Sequence, residues 1–246
     1  MTAPLVFLPG WCLGRGPLNA AVDALQGQIF DLPGYGAPQE VPLGCEAPLI
    51  GDFDAAADDI AARLQPGTAL CGWSLGAQLA LAVAARSPHK VGKLLLVAGT
   101  ASFVQRAGWP HAMPPEMLAE FAANVAADVE AMLPRFVGGF NRGDARAKEV
   151  TRQLLELADP RPPATTLASG LAWLRDVDLR PDAPRVAAST LIVHGAADPL
   201  MPLATAETLA ALIPGARLAA MAECAHAPFI SRPADFLALV HTFLHE

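Results

Sequence analysis

A serine with a glycine two residues to either side, Gly72-Trp73-Ser74-Leu75-Gly76, follows an apolar run at 68–72 and precedes a segment of helical periodicity at 75–86. A strained strand-to-helix turn needs small residues at those two flanking positions, and it pushes the serine hydroxyl out at the helix N-terminus. Backbone N–H groups there can hold a developing oxyanion. A serine hydroxyl attacks only when a base takes its proton, and that base must itself be oriented by an acid. For a serine on such a turn the expected chain order is serine, acid, histidine. Asp198 lies in His194-Gly195-Ala196-Ala197-Asp198-Pro199 after the fifth predicted strand, and His226 lies in Glu223-Cys224-Ala225-His226-Ala227-Pro228-Phe229 after the sixth. Ser74, Asp198 and His226 are therefore the expected catalytic set.

Other residues of the same types fit less well. His194 sits at a strand end before Gly195, where it is expected to order its turn by hydrogen bonding. His89, His241 and His245 fall on predicted helical surfaces and His111 in a helical insertion; Asp176 and Asp178 end that insertion, and Glu223 suits a solvated loop. An oxyanion hole needs two N–H donors, one from the residue after the nucleophile and one from the loop after the first parallel strand. Leu75 and Trp11, the latter in Leu8-Pro9-Gly10-Trp11-Cys12, hold those places. Pro9-Gly10 also suits a plain turn, with Trp11 as a core aromatic. Cys12 has no acid or histidine beside it in sequence and reads as a pocket-wall thiol rather than a second nucleophile.

Positioning these residues requires strands that end in loops on one side of a sheet. Short apolar runs at 5–8, 28–31, 68–72, 93–98, 189–194 and 217–221 alternate with helical spacing at 16–26, 53–64, 75–86, 204–213 and 233–245. That alternation predicts an α/β fold with a mostly parallel sheet of about six strands and helices on both faces. It fails between 102 and 182, where Ala- and Leu-rich segments are broken by Pro110, Pro114, Pro115, Pro134, Gly138, Gly139 and the prolines at 160–163. The expected organisation is a core at 1–101 and 183–246, with a helical lid at 102–182 over the carboxyl ends of the strands.

Composition excludes other classes. The chain has 246 residues, 53% hydrophobic and 17% charged, with a net charge of −7. It is neither disordered nor a reader of nucleic-acid phosphates. Cys12, Cys45, Cys71 and Cys224 show no metal-ligand or disulfide spacing. No signal-peptide pattern opens the sequence, and the uncharged stretch 65–85 is interrupted by Pro66, Gly67, Gly72 and Gly76, so no membrane span and a cytoplasmic location are expected. No cofactor is called for, and a monomer is expected.

These segments resemble the α/β-hydrolases over essentially the whole chain: Leu8 to Trp11, Asp31-Leu32-Pro33-Gly34-Tyr35-Gly36, the turn at Ser74, the strand 94–98, 194–202 and 225–236. Within that superfamily the chain is most similar to the carboxylesterases of biotin synthesis. The motifs concerned are Gly72-Trp73-Ser74-Leu75-Gly76, Trp109-Pro110, Asp176-Val177-Asp178-Leu179-Arg180 and the run 225–236. The resemblance implies hydrolysis of the methyl ester of a pimeloyl chain carried by acyl-carrier protein. It also implies substrate contacts at Trp11, Ser74, Leu75, His226 and Phe136-Val137-Gly138-Gly139-Phe140, although Gly138-Gly139 equally suits a kink between two lid helices. Relative to the family the chain starts at what would be its third strand, and Pro9-Gly10 stands where His-Gly is common. Arg135, Arg142, Arg146 and Arg152, with Lys148, face only Asp144 and Glu149 between 131 and 155, a local excess of positive charge. It would steer an acidic carrier; a solvated helix face with pairs such as Asp144 to Lys148 is the alternative. Free esters, lactones or a vinylogous diketone remain alternative substrates, and a non-catalytic ligand-binding role a further one.

Overall fold

The computed structural model describes residues 3–35 and 51–246. Gly36 and Cys45 lie outside them. Six strands, β1 (Leu5–Leu8), β2 (Gln28–Ile29), β3 (Thr68–Trp73), β4 (Val91–Val97), β5 (Ser189–Gly195) and β6 (Arg217–Met221), form one sheet in the order β2-β1-β3-β4-β5-β6. All five pairings are parallel. Every residue of β1 and β3 is buried, which is why these strands are continuous apolar runs rather than alternating ones. β6, at an edge, is largely half-exposed.

Helices α1 (Asn19–Ala24), α2 (Phe53–Arg63), α3 (Leu75–Arg86), α8 (Leu203–Leu212) and α10 (Pro233–His245) fall on the predicted helical segments, and α9 (Pro228–Ser231) is a single turn after the His226 loop. The helical reading of 16–26 divides into a 3₁₀ turn at Gly16–Leu18 and the short α1. In α3 every residue from Leu75 to Ala85 is buried; its alanines and Gly76 let the helix lie close against the sheet.

Between β4 and β5 run α4 (Pro115–Ala127), α5 (Val129–Phe140), α6 (Ala147–Glu156) and α7 (Ala164–Asp176). α5 continues through Gly138 and Gly139 to Phe140, so the alternative of a break between two helices there is corrected. Asp128 caps α5 by accepting from Ala131 N–H at 3.0 Å. The two ends of the insertion are fastened to each other. Arg106 donates through Nε to Ser102 Oγ at 2.9 Å and through Nη2 to the carbonyls of Arg175 and Asp176 at 3.0 Å each. Arg180 donates to the Ala107 carbonyl at 2.6 Å, and Trp109 Nε1 to that of Ser102 at 3.0 Å. Trp109 and the 176–180 motif thus serve this seam. Among the described residues no helix is long and apolar enough to cross a membrane.

Candidate active site

The sheet order reverses at β1 and β3: the chain leaves β1 for β2 on one side and returns to β3 on the other. Ligands of open parallel sheets bind at the strand carboxyl ends beside such a reversal. Leu8 of β1 pairs with Gly72 of β3, so the loop Pro9-Gly10-Trp11 and the turn at Ser74 emerge side by side. A Cβ on Gly10 would lie 3.4 Å from Ser74 Cβ.

Ser74 adopts φ 56° and ψ −115°, in the left-handed half of the backbone map. The strain is held by close backbone packing. A Cβ on Gly72 would stand 2.2 Å from the Gly76 carbonyl oxygen, and one on Gly76 2.4 Å from that of Leu8. Only glycine fits at either position. Ser74 N–H donates to the Val97 carbonyl at 2.9 Å, which ties the turn to the end of β4. Leu75 opens α3, so its N–H has no intrahelical acceptor.

Asp198 and His226 leave the ends of the adjacent strands β5 and β6. Backbone hydrogen bonds from Ala196 N–H to Met221 O and from Ala197 N–H to Cys224 O, both 2.9 Å, hold the two loops together. Asp198 is 4% exposed and its carboxylate is fully engaged. Oδ1 accepts from Leu200 N–H at 2.9 Å and Met201 N–H at 3.0 Å, while Oδ2 accepts from His226 Nδ1 at 2.7 Å. With Nδ1 occupied, Nε2 is the ring nitrogen of His226 left to accept a proton. The imidazole is flanked by Phe140 and Trp73, with ring centroids 5.0 and 6.0 Å away, and Trp73 Nε1 donates to the His226 carbonyl at 2.9 Å.

His194 behaves as expected from its place in sequence: Nε2 donates to the Met201 carbonyl at 2.7 Å and orders the Asp198 turn. Burial holds its pKa below the usual imidazole range, so the ring is neutral. Cys12 is corrected. It is fully buried rather than on the cavity wall, and desolvation pushes its thiol well above the ordinary range. Burial likewise raises Cys71 and Cys224. None of these thiols is a competent nucleophile.

Ser74, Trp11 and His226 line one cavity of about 390 Å³, within the range of small-molecule sites. Its roof comes from the insertion: Leu118 and Phe121 of α4, Met132, Phe136, Gly139 and Phe140 of α5, and Leu171 and Leu174 of α7. Of the five-residue stretch on α5, Phe136, Gly139 and Phe140 face the cavity; Val137 is wholly buried away from it and Gly138 lies beside Thr151. Met132, Phe136 and Phe140 recur every fourth residue, a stripe legible in sequence that the resemblance-based stretch cut across. Trp11 packs edge-on against Phe121 and Phe136 at 5.7 and 5.3 Å, so it also anchors the roof.

The four arginines separate into distinct surroundings. Arg135 and Arg142 are exposed and line the cavity, so they stand at its mouth. Arg146 donates to the Ser231 carbonyl at 2.8 Å. Arg152 is paired with Glu149 and Glu156 on its own helix, at 2.8 and 2.6 Å. Asp144 does not pair with Lys148: it is 7% exposed and turned into the protein.

Comparison with known proteins agrees with this architecture. The chain is 36% identical over 241 residues to the pimeloyl-[acyl-carrier protein] methyl ester esterase of Nitrosomonas europaea, covering 95% of this chain and 92% of that protein. It is 37% identical to the esterase of the same name from Aromatoleum aromaticum, covering 96% of each. Among solved structures, an esterase from Exiguobacterium antarcticum superposes with a TM-score of 0.86 at 26% identity, covering 99% of this chain and 92% of that one. The profile of the alpha/beta hydrolase family matches residues 5–239, and the chain belongs to that family.

Proposed function

We propose that this protein is a serine carboxylesterase that hydrolyses the methyl ester of a pimeloyl chain presented by acyl-carrier protein. The observation that carries the chemistry is the placement of Ser74, on a strained turn, in one apolar cavity with His226, whose Nδ1 is held by Asp198 at 2.7 Å. The names of relatives 36% and 37% identical over nearly the whole chain support the substrate.

Ser74 Oγ attacks the ester carbonyl carbon while His226 Nε2 takes its proton. The N–H groups of Trp11 and Leu75 hold the resulting oxyanion. Asp198 keeps His226 in the Nδ1–H tautomer and stabilises the imidazolium. Collapse of the tetrahedral adduct expels methoxide, which His226 protonates to methanol, leaving the acyl group on Ser74. A water then gives its proton to His226 and attacks the acyl carbonyl, and the second collapse releases the ω-carboxylate and restores the serine. No cofactor is needed. The apolar roof accepts the methylene chain, and residues 102–182 act as the lid. Arg135 and Arg142 at the mouth meet the acidic carrier.

Turnover of the carrier-bound methyl ester and of a short free ester, with Ser74→Ala as blank, tests this reading. The carrier-bound ester is expected to turn over more efficiently, and added salt to reduce that advantage by screening the mouth. Reversing both charges, Arg135→Glu with Arg142→Glu, is expected to lower kcat/KM on the carrier-bound ester by about tenfold or more, and by much less on the free ester. Equal losses on both substrates, or turnover of the free ester alone, would move the function to a general carboxylesterase.

A further inference from the structure

The junction between α5 and α6 reaches down from the roof to the loop that carries His226. Asp144, buried at this junction, places both carboxylate oxygens on that region. Oδ2 accepts from Ala225 N–H, immediately before His226, at 2.9 Å. Oδ1 accepts from Ser231 Oγ at 2.9 Å and from Arg146 N–H at 2.8 Å. The flanking residues repeat the attachment: Ala145 N–H donates to the Glu223 carbonyl at 2.9 Å, and Arg146 Nη1 to that of Ser231 at 2.8 Å. A Cβ on Gly143 would come within 2.9 Å of the Ala197 carbonyl oxygen, one residue before Asp198. The junction therefore touches both loops that supply the acid and the base, while its neighbour Arg142 lines the cavity mouth.

We propose that Asp144 is a positioning residue for the reaction: its carboxylate bridges the insertion to Ala225 and Ser231 and fixes where His226 stands relative to Ser74. The proposal rests on the hydrolase reading above. Glu223, two residues upstream of Ala225, sits at a φ of 57°, a strained conformation that its surroundings must hold, and the bond from Ala225 N–H to Asp144 is one of the contacts that hold this loop. A buried carboxylate held by three donors from three different residues is tightly restricted in its placement, and it transmits that placement to the loop. It follows that this side of the roof is anchored, and that any opening of the cavity takes place elsewhere in the insertion.

The test compares Asp144→Ala and Asp144→Asn with the wild type on a short free ester, together with thermal melting and the downfield proton resonance of His226 Nδ1–H. Asp144→Ala is expected to lower kcat by about ten- to a hundredfold with KM changed less than twofold, since a displacement near 1 Å costs about that much. The His226 resonance should shift or broaden in the folded variant. Asp144→Asn keeps one acceptor oxygen and is expected to fall between. Unchanged kcat and resonance in folded Asp144→Asn would overturn the proposal, as would a kcat loss matching only the unfolded fraction. If Asp144→Ala does not fold, Asp144→Asn decides alone. Absence of Ser74-dependent turnover in the wild type would instead remove the esterase reading, and the resonance would still report whether Asp144 holds the histidine.

Discussion

Replacing Ser74 with alanine is expected to abolish ester hydrolysis, with kcat lower by at least about 10⁴-fold, while the protein melts within a few degrees of the wild type. The two halves of this expectation have separate causes. Oγ makes no capping hydrogen bond at the start of α3, and the backbone strain at φ 56° belongs to the turn, so alanine inherits the same conformation. The glycine contacts and the Ser74 N–H to Val97 bond that hold the turn do not involve the hydroxyl. Loss of Oγ removes the proposed nucleophile, and among the described residues the buried thiols of Cys12, Cys71 and Cys224 are pushed above their ordinary range by desolvation, so none replaces it. Steady-state kinetics on a short ester beside a thermal melt measures both. Turnover within tenfold of the wild type would mean that the chemistry does not pass through this serine.

Gly76→Ala is expected to damage stability and catalysis together. Its Cβ would stand 2.4 Å from the Leu8 carbonyl oxygen and 2.5 Å from that of Pro9. Both are backbone atoms of the strand end that leads into Trp11, so no side-chain rotation relieves the overlap. Either α3 moves off the sheet or the Pro9-Gly10-Trp11 loop retreats from Ser74. Overpacking of this kind costs about 3 kcal/mol, or roughly 6–12 °C in melting temperature for a chain of this size. Because the displaced loop carries the proposed Trp11 donor, kcat should also fall by about a hundredfold, the usual cost of one oxyanion contact. Calorimetry and kinetics on the same preparation check this, and a melting temperature within about 2 °C of the wild type would contradict the close approach.

The difference between these substitutions marks what local sequence carries. Glycines spaced around Ser74, apolar runs of strand length and helical periodicity at 75–86 and 233–245 are short-range signals, set by backbone sterics and by the face each residue must bury. From them the parallel sheet, α3, α10 and the loops holding Asp198 and His226 were legible, as was the turn-ordering role of His194. The roof was not legible in the same way. Which face of α5 meets the cavity depends on how that helix packs against α4 and α6, so Phe136, Gly139 and Phe140 line it while Val137 and Gly138, their immediate neighbours in sequence, do not. Charge shows the same dependence. Arg142 and Arg152 look alike in the chain, yet one stands at the mouth and the other is taken up by Glu149 and Glu156. Asp144 read as a partner for Lys148 one helical turn on, but burial and three donors from residues up to 87 positions away claim it instead. The sequence by itself determined the strained turn at Ser74 and the strand-end loops of Asp198 and His226, because these rest on contacts within a strand, a turn and a helix. Tertiary structure alone decided the shape of the cavity, the freedom of each charge and the brace beneath His226, because those rest on which distant surfaces meet.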